Sequence, residues 1–431
     1  MSNKMDTQDA SGSTHSLKPK LRFPEFSDAG GWRIKKLNAL LFETKHRNRT
    51  LEFGPNDVLS VSGEYGCVNQ IEYLGRSYAG ESVKNYHVVE HGDVVYTKSP
   101  LKKNPYGIIK ENKGKRGIVS TLYAVYRPFP NCSAAYLDHF FSVDFNLNAY
   151  LQPIVRKGAK NDMKVNNADV LKGDICVPEL PEQQKIADCI ASVYELIGAQ
   201  ARKVDTLKTH KKGLMQQLFP RKGEAQPRFR FSKFQDAGNW EPKRLGDLAS
   251  RVTARNVAFN EARVLTNSAE FGVVEQGSYF DREIITKGNL GSYFIVDRGD
   301  FVYNPRISNL APVGPVSRND LGTGVMSPLY TVFRFQTQAT DFFAQLFKTT
   351  VWHAYLKGVS NSGARHDRIS ITTADFMDLP LLLPSFEEQA LIADCLSKLD
   401  DVIATESLKL DSLKTHKNGL MQQLFPLAAE A

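Results

Sequence analysis

The chain repeats itself, and that repetition limits its possible folds more than any other feature. Leu207 to Pro220 reads LKTHKKGLMQQLFP, and Leu413 to Pro426 reads LKTHKNGLMQQLFP. Upstream, PEQQKIADCI at Pro181 to Ile190 pairs with FEEQALIADCL at Phe386 to Leu396, and RFPEFSDAGGW at Arg22 to Trp32 pairs with RFSKFQDAGNW at Arg230 to Trp240. Fainter matches join the interiors. Gly92, Asp93 and Tyr96 correspond to Gly299, Asp300 and Tyr303, and GIVSTLYAVYR corresponds to GVMSPLYTVFR. A duplicated chain of 431 residues is expected to fold as two copies of one module, because one hydrophobic core rarely serves such a length. The ends of the repeats are nearly identical while their interiors differ heavily, the pattern of a common scaffold carrying two different faces.

The C-terminal end of each module is helical by its periodicity. Ile186, Ile190, Val193, Ile197, Val204, Leu207, Leu214 and Leu218 follow steps of three, four and seven. The second copy answers with Ile392, Leu396, Leu399, Ile403, Leu410, Leu413, Leu420 and Leu424, a heptad-like seam. Ser385 with Glu388 makes a capping-box pattern, Pro181 suits a helix start, and Pro220 and Pro426 stop each helix. From Glu182 to Leu218 such a helix measures about 55 Å. Its apolar stripe needs a partner, either its own domain or its repeat, and the matched stripe favours an intramolecular coiled coil. Between these ends, VLSVSG, YHVVEHGDVVYTK, STLYAVYR, SYFIVDRGDFVYN and LYTVFRF read as strands, whereas DHFFSVDFNLNAYL and DFFAQLFKTTVWHAYL read as helices. The class is α+β, with a tail over 1–20, a mixed domain over 21–177, a helix over 178–220, a second mixed domain over 221–380, a second helix over 381–426, and a tail over 427–431.

With 55 Lys+Arg against 47 Asp+Glu, the formal charge is +8, which suits a polyanionic partner without requiring one. Cys67, Cys132, Cys176, Cys189 and Cys395 are odd in number and form no C-x-x-C, an argument against a disulfide framework or thiolate zinc site and for a reducing cytoplasm. No apolar run is long enough for a bilayer, and the start MSNKMDTQDASGSTHSLKPK lacks a signal-peptide core.

Catalytic motifs are poor. Asn104-Pro105-Tyr106-Gly107 resembles the N-P-P-Y loop of amino-methyltransferases but lacks its second proline, so a turn is expected. His210 and His416 recur without acidic or cysteine companions, and Cys189 and Cys395 read as small seam residues. Cations are more informative. Lys98, Lys102, Lys103, Lys110, Lys113, Lys115 and Arg116 crowd one loop region, where they could follow a phosphate backbone. The counterpart carries Arg306, Asn309, Arg318 and Asn319, residue types that read base edges. Further basic pieces lie at Lys45, Arg47 and Arg49, Arg251 and Arg255, Lys157 and Lys160, and Arg365 and Arg368.

Together these features resemble the specificity (S) subunit of type I restriction-modification systems. The resemblance rests on YFDREI at Tyr279 to Ile284, RGDFVYNP at Arg298 to Pro305, GARHDRI at Gly363 to Ile369, and LPLLLPSFEEQALIADCL leading into the second helix. The first module departs from it, with YLGRSY and GAKNDMKV in place of YFDREI and GARHDRIS. The resemblance implies two target recognition domains related by a pseudo-two-fold, each reading half of a split double-stranded DNA target, separated by an antiparallel coiled coil. It also implies two methyltransferase (modification) subunits docked on the helices, restriction/translocase subunits joining them, and S-adenosylmethionine, ATP and Mg bound by those partners rather than by this non-catalytic chain. Two other classes stay open: a self-sufficient methyltransferase or nuclease, and a non-specific DNA-binding adaptor.

Overall fold

The structure is a computed structural model and describes residues 18–80, 82–99, 101–157, 163–279, 287–362 and 367–426. Both expected tails therefore lie almost wholly outside the described residues. No helix among those described is long and apolar enough to cross a membrane.

The sequence repeat is a repeat of topology. In the first module a four-stranded antiparallel sheet runs in the order Leu41–Glu43, Tyr123–Pro128, Val94–Thr97, Ile108–Glu111. The second module has the same order in Ala249–Arg251, Thr331–Phe335, Phe301–Tyr303, Val316–Arg318. Each expected strand forms, because its β-branched and aromatic residues are buried on a pleated surface. The first strand of each module pairs with the last, Arg33–Lys36 with Asp174–Val177 and Glu241–Arg244 with Pro380–Leu383. That pairing closes the module and delivers the chain to its long helix.

Each of the two interior runs read as helical breaks into two short helices, Ala134–Phe141 with Asp144–Leu151 and Thr340–Leu346 with His353–Val359. The break falls where a hydroxyl bonds the preceding turn: Ser142 Oγ donates to Asp138 O (2.6 Å) and Thr349 Oγ1 to Leu346 O (2.6 Å).

The long helices span Leu180–Leu218 and Phe386–Leu424, 39 residues each. At the start of the second, Glu388 N donates to Ser385 Oγ, so half of the capping box forms. The other half does not, because the Glu388 carboxylate is taken by Arg230.

The chain divides into two compact units, one of 1–201 with 409–431 and one of 202–408, so each unit holds part of both helices. In the first unit Ile186, Ile190, Met421, Leu424 and Phe425 join Trp32, Tyr136 and Phe140 in one core. In the second, Leu218, Phe219, Ile392 and Leu396 join Phe301, Phe342 and Phe376. The helices also meet each other within each unit. Lys203 pairs with Glu406 (2.6 Å) and Lys211 with Asp400 (2.5 Å) in the second, an antiparallel register, and Lys417 lies over the Tyr194 ring (4.7 Å) in the first. Of the seam, Ile186, Ile190, Val204, Ile392 and Leu396 are buried, while Val193, Ile197, Leu207, Leu399, Ile403, Leu410 and Leu413 are half-buried.

Candidate nucleic-acid interface

In each module the central strand ends in an irregular loop, and the repeated letters Gly-Asp-x-x-Tyr hold that loop in place. Asp93 accepts Arg127 through both oxygens (2.8 and 3.1 Å) and caps Glu90 N; Asp300 accepts Arg334 (2.5 and 2.9 Å) and caps Asp297 N. At the other end of the strand, Tyr96 OH donates to Tyr106 O (2.8 Å) and Tyr303 OH to Val313 O (3.0 Å). The loop returns at Gly107 (φ +97°) or Gly314 (φ +80°), where a Cβ would stand 2.1 Å from Thr97 O or 2.0 Å from Asn304 O, so only glycine permits the approach. Framework and loop are thus separate parts of the sequence. The first loop is SPLKKNPY and the second PRISNLAPV.

The first loop does contain the expected turn, with Gly107 N donating to Asn104 O (3.1 Å). Its cations divide into two groups. Lys102, Lys103 and Lys115 are exposed, Lys98 is half-buried, and none of the four has a carboxylate partner among the described residues. The others are engaged within the domain. Arg116 bridges Glu90 and Glu52 (2.8 and 2.7 Å), and Lys113 pairs with Asp138 (2.7 Å). Lys110, nominated as a surface cation, is instead buried against Ser142 and Asp138. Burial raises the Asp138 carboxyl, but Lys110 and Lys113 outweigh it and hold the group below its ordinary range.

In the second module a cleft of about 510 Å³ opens beside the loop. Arg306 and Arg368 face each other on adjacent backbone segments, with Ile307 N donating to Asp367 O and Ile369 N to Pro305 O. Asp367 lies 3.5 Å from Arg306 and 3.9 Å from Arg368, so two cations share one carboxylate, and Glu270 also lines the cleft. Asn304, Gln276, Tyr279 and Tyr330 add hydrogen-bonding groups to its walls. Asn309 is exposed on the loop. Arg318 is held by Asp320 and Asp341 (2.6 Å each).

Asn319, nominated as a base reader, is fully buried: its Nδ2 donates to Val296, Asp297 and Gly322 carbonyls. Its repeat, Asn112, does the same for Glu90 and Lys115. Both stitch a turn, where an unpaired carbonyl would be costly. Elsewhere, Lys45, Arg49 and Arg251 are exposed, Arg47 donates to Asn85 O and Arg255 to Ser292 O. Lys160 and Arg365 lie outside the described residues. His210 and His416 are exposed, Cys189 and Cys395 half-buried, and no cluster of metal-ligating residues occurs among the described residues.

Two features escaped the sequence reading. Exposed rings stand together at equivalent places in both modules, Tyr65 with Tyr73 (5.7 Å) and Phe271 with Tyr279 (6.3 Å); the signal was the shared Glu-aromatic-Gly at 64–66 and 270–272. The second concerns the helix repeats. Their exposed faces match almost letter for letter, Lys208, Thr209, His210, Gln216 and Gln217 against Lys414, Thr415, His416, Gln422 and Gln423. Packing does not demand identity at exposed positions.

Residues 237–415 match the family model of the type I restriction modification DNA specificity domain. The chain is similar to the MjaX type I restriction enzyme specificity subunit of Methanocaldococcus jannaschii, 24% identical over 281 residues that cover 63% of this chain and 62% of that protein. It thus spans about three fifths of that relative's length. Among solved structures, it is similar to the type I restriction-modification system S subunit from M. genitalium (TM-score 0.54, 10% identity, 95% of this chain and 99% of that one). It is also similar to a chain from a study of complex assembly and conformational transition of the type I R-M system (TM-score 0.52, 18% identity, 92% and 98%). At these identities the structural likeness concerns the fold.

Proposed function

We propose that this chain is a member of the specificity-subunit family of type I restriction-modification systems and the non-catalytic, DNA-reading subunit of such a complex. Each module reads one half of a bipartite, asymmetric duplex target through its loop-bearing face. The matching exposed faces of the helix repeats dock two identical methyltransferase subunits, which bind S-adenosylmethionine. Restriction subunits, which use ATP and Mg, join that assembly in the cytoplasm.

One observation carries this reading: two modules share strand order, an arginine paired to a buried aspartate, and loop anchors, yet differ in the loops those anchors hold. A scaffold built twice with different loops suits two different half-sites, and phosphate contacts from Lys102, Lys103, Arg306 and Arg368 suit positioning on a duplex. The direct test is genome-wide methylation mapping in cells expressing the chain with its modification subunit. A split, asymmetric motif is expected. Replacing 21–177 by a second copy of the second module then yields a symmetric motif made of one half-site twice. A continuous motif, or methyl transfer by the purified chain alone, refutes the proposal.

A further inference from the structure

The exposed ring pairs sit on turns built to hold them. In the first module the hairpin Leu59–Ser62 with Gly66–Asn69 turns through Gly63, Glu64 and Tyr65. Ser62 Oγ accepts Glu64 N and Tyr65 N (3.3 Å each), and Gly66 supplies the left-handed residue (φ +70°) that closes this kind of loop. In the second module Ser268 Oγ accepts Glu270 N and Phe271 N (3.2 and 3.3 Å), and Gly272 has φ +68°. The same scaffold therefore points an aromatic side chain outward twice, Tyr65 60% exposed and Phe271 62% exposed. Each meets a second exposed ring from the short helix that follows, Tyr73 of Gln70–Leu74 or Tyr279 of Gln276–Tyr279.

These rings stay exposed although hydrophobic side chains are stabilised by leaving water; Tyr279 OH also accepts Ser268 Oγ (3.3 Å), which fixes its ring at the turn. Their surroundings identify the occupant. Tyr279 and the exposed Leu329 share the cleft that carries Arg306 and Arg368. In the first module Arg76 lies over the exposed Tyr78 ring (4.6 Å), just after the short helix that carries Tyr73. Exposed rings with guanidinium groups nearby, and with the carboxylates of Glu64 and Glu270 in the same turns, suit a surface of flat apolar faces flanked by anions, which is what duplex DNA offers when a base step is opened against an apolar wedge.

We propose that the ring pair of each module is a DNA-contacting element distinct from the loop cations, packing against base and deoxyribose faces at a deformable step while the neighbouring arginines hold phosphates. This rests on the DNA-reading assignment above. The contact is non-ionic, so it contributes affinity without releasing counterions.

The test uses the full chain and fluorescent duplexes selected by the wild-type chain from a random pool, titrated across a salt series. Tyr65→Ala and Phe271→Ala are expected to weaken Kd about tenfold, ~1.4 kcal/mol, with the slope of log K against log salt unchanged. Tyr65→Phe and Phe271→Tyr are expected to retain affinity, and circular dichroism checks that these exposed positions leave the fold intact. Wild-type affinity in the alanine variants overturns the proposal, as does a reduced salt slope, which would mean the rings only position cations. If the wild-type chain selects no duplex at all, the DNA-reading assignment itself falls.

Discussion

The buried ion pair at the start of each long helix gives two unequal tests of the same contact. Arg230 binds both oxygens of Glu388 (2.8 and 2.7 Å), with side chains only 8% and 1% exposed. Arg22 does the same with Glu182 (2.8 and 2.7 Å). Replacing Glu388 by Ala leaves a guanidinium stranded in the interior, a change that costs about 3 to 5 kcal/mol. Because Arg230 keeps the Ala237 and Gly238 carbonyls (2.6 and 3.0 Å), the loss should lie near the lower figure. Glu182→Ala should cost more. Glu182 also accepts Trp32 Nε1 (3.1 Å), whereas the equivalent Trp240 Nε1 makes no such bond, and leaving that indole unpaired adds roughly 1 kcal/mol or more. Replacing both partners, Arg230→Met with Glu388→Leu, should be milder than Glu388→Ala alone, since no unpaired charge remains. Urea unfolding followed by amide exchange at Glu241–Arg244 and Arg33–Lys36 reads each unit separately. If either single variant stays within about 1 kcal/mol of wild type, the pair does not anchor the helix start and the reasoning fails.

Acid should weaken the first module more than the second, where burial lowers one described histidine, His353. Burial pushes His87 and His139 down to about 4, so both are neutral when folded; the unfolded chain takes up their protons first, and stability is full above about 6.5 and lost as pH falls towards 4, on the order of 3 kcal/mol for the deeper His139 and less for His87. Their repeats are Phe294 and Gln345, so amide exchange at pH 5 should accelerate in the strands of the first module more than in those of the second. Asn112→Ala and Asn319→Ala should each destabilise their module by about 1 to 3 kcal/mol, while the methylated motif keeps its sequence wherever the protein folds; a changed motif would make these asparagines base readers after all. Deleting one heptad from each 39-residue helix removes about 10.5 Å, and methylation mapping should find the gap between half-sites shortened by about three base pairs; an unchanged gap rules out the helices as spacers.

What could be read from sequence was what depends on local periodicity. The long helices were legible because seam, caps and terminal prolines agree, and the strands because β-branched runs alternate with turn residues. The cation cluster was legible only as composition. Whether Arg116 is free depends on Glu52 and Glu90, and whether Lys113 is free depends on Asp138; all three partners arrive through the fold. Asn319 misled for the same reason, since an amide that would suit a base edge also suits three carbonyls of a buried turn. The Arg306 and Arg368 pairing was out of reach, because the two residues meet only when distant segments form one backbone bridge. The ring pairs could have been found by asking which aromatic positions repeat inside turns.

The join between helix and domain shows that the two modules are not freely interchangeable, despite their common scaffold. In the first unit His139 stacks on Tyr194 (5.8 Å, 15°) and Lys417 covers the other partner of that stack at 4.7 Å. At the equivalent positions of the second unit stand Gln345, Asp400 and Lys211, joined by hydrogen bonds: Gln345 Nε2 to Asp400 (3.0 Å), Lys211 to Gln345 (3.1 Å), with Lys348 also on Asp400 (3.2 Å). The lysine is common to both joins; what differs is an aromatic stack in one and a carboxylate hub in the other. Burial lowers Lys211, so its charge depends on Asp400 staying beside it. Grafting the second module onto the first helix start would set Gln345 and Lys348 against Tyr194 and leave them without that carboxylate. Such a chimera should therefore be less stable than the parent, and adding Tyr194→Asp should restore it by about 1 to 3 kcal/mol, the range for a hydrogen bond to a charged group in a buried setting. No recovery in thermal unfolding of the repaired chimera would mean that the joins are passive and that the loops alone distinguish the modules.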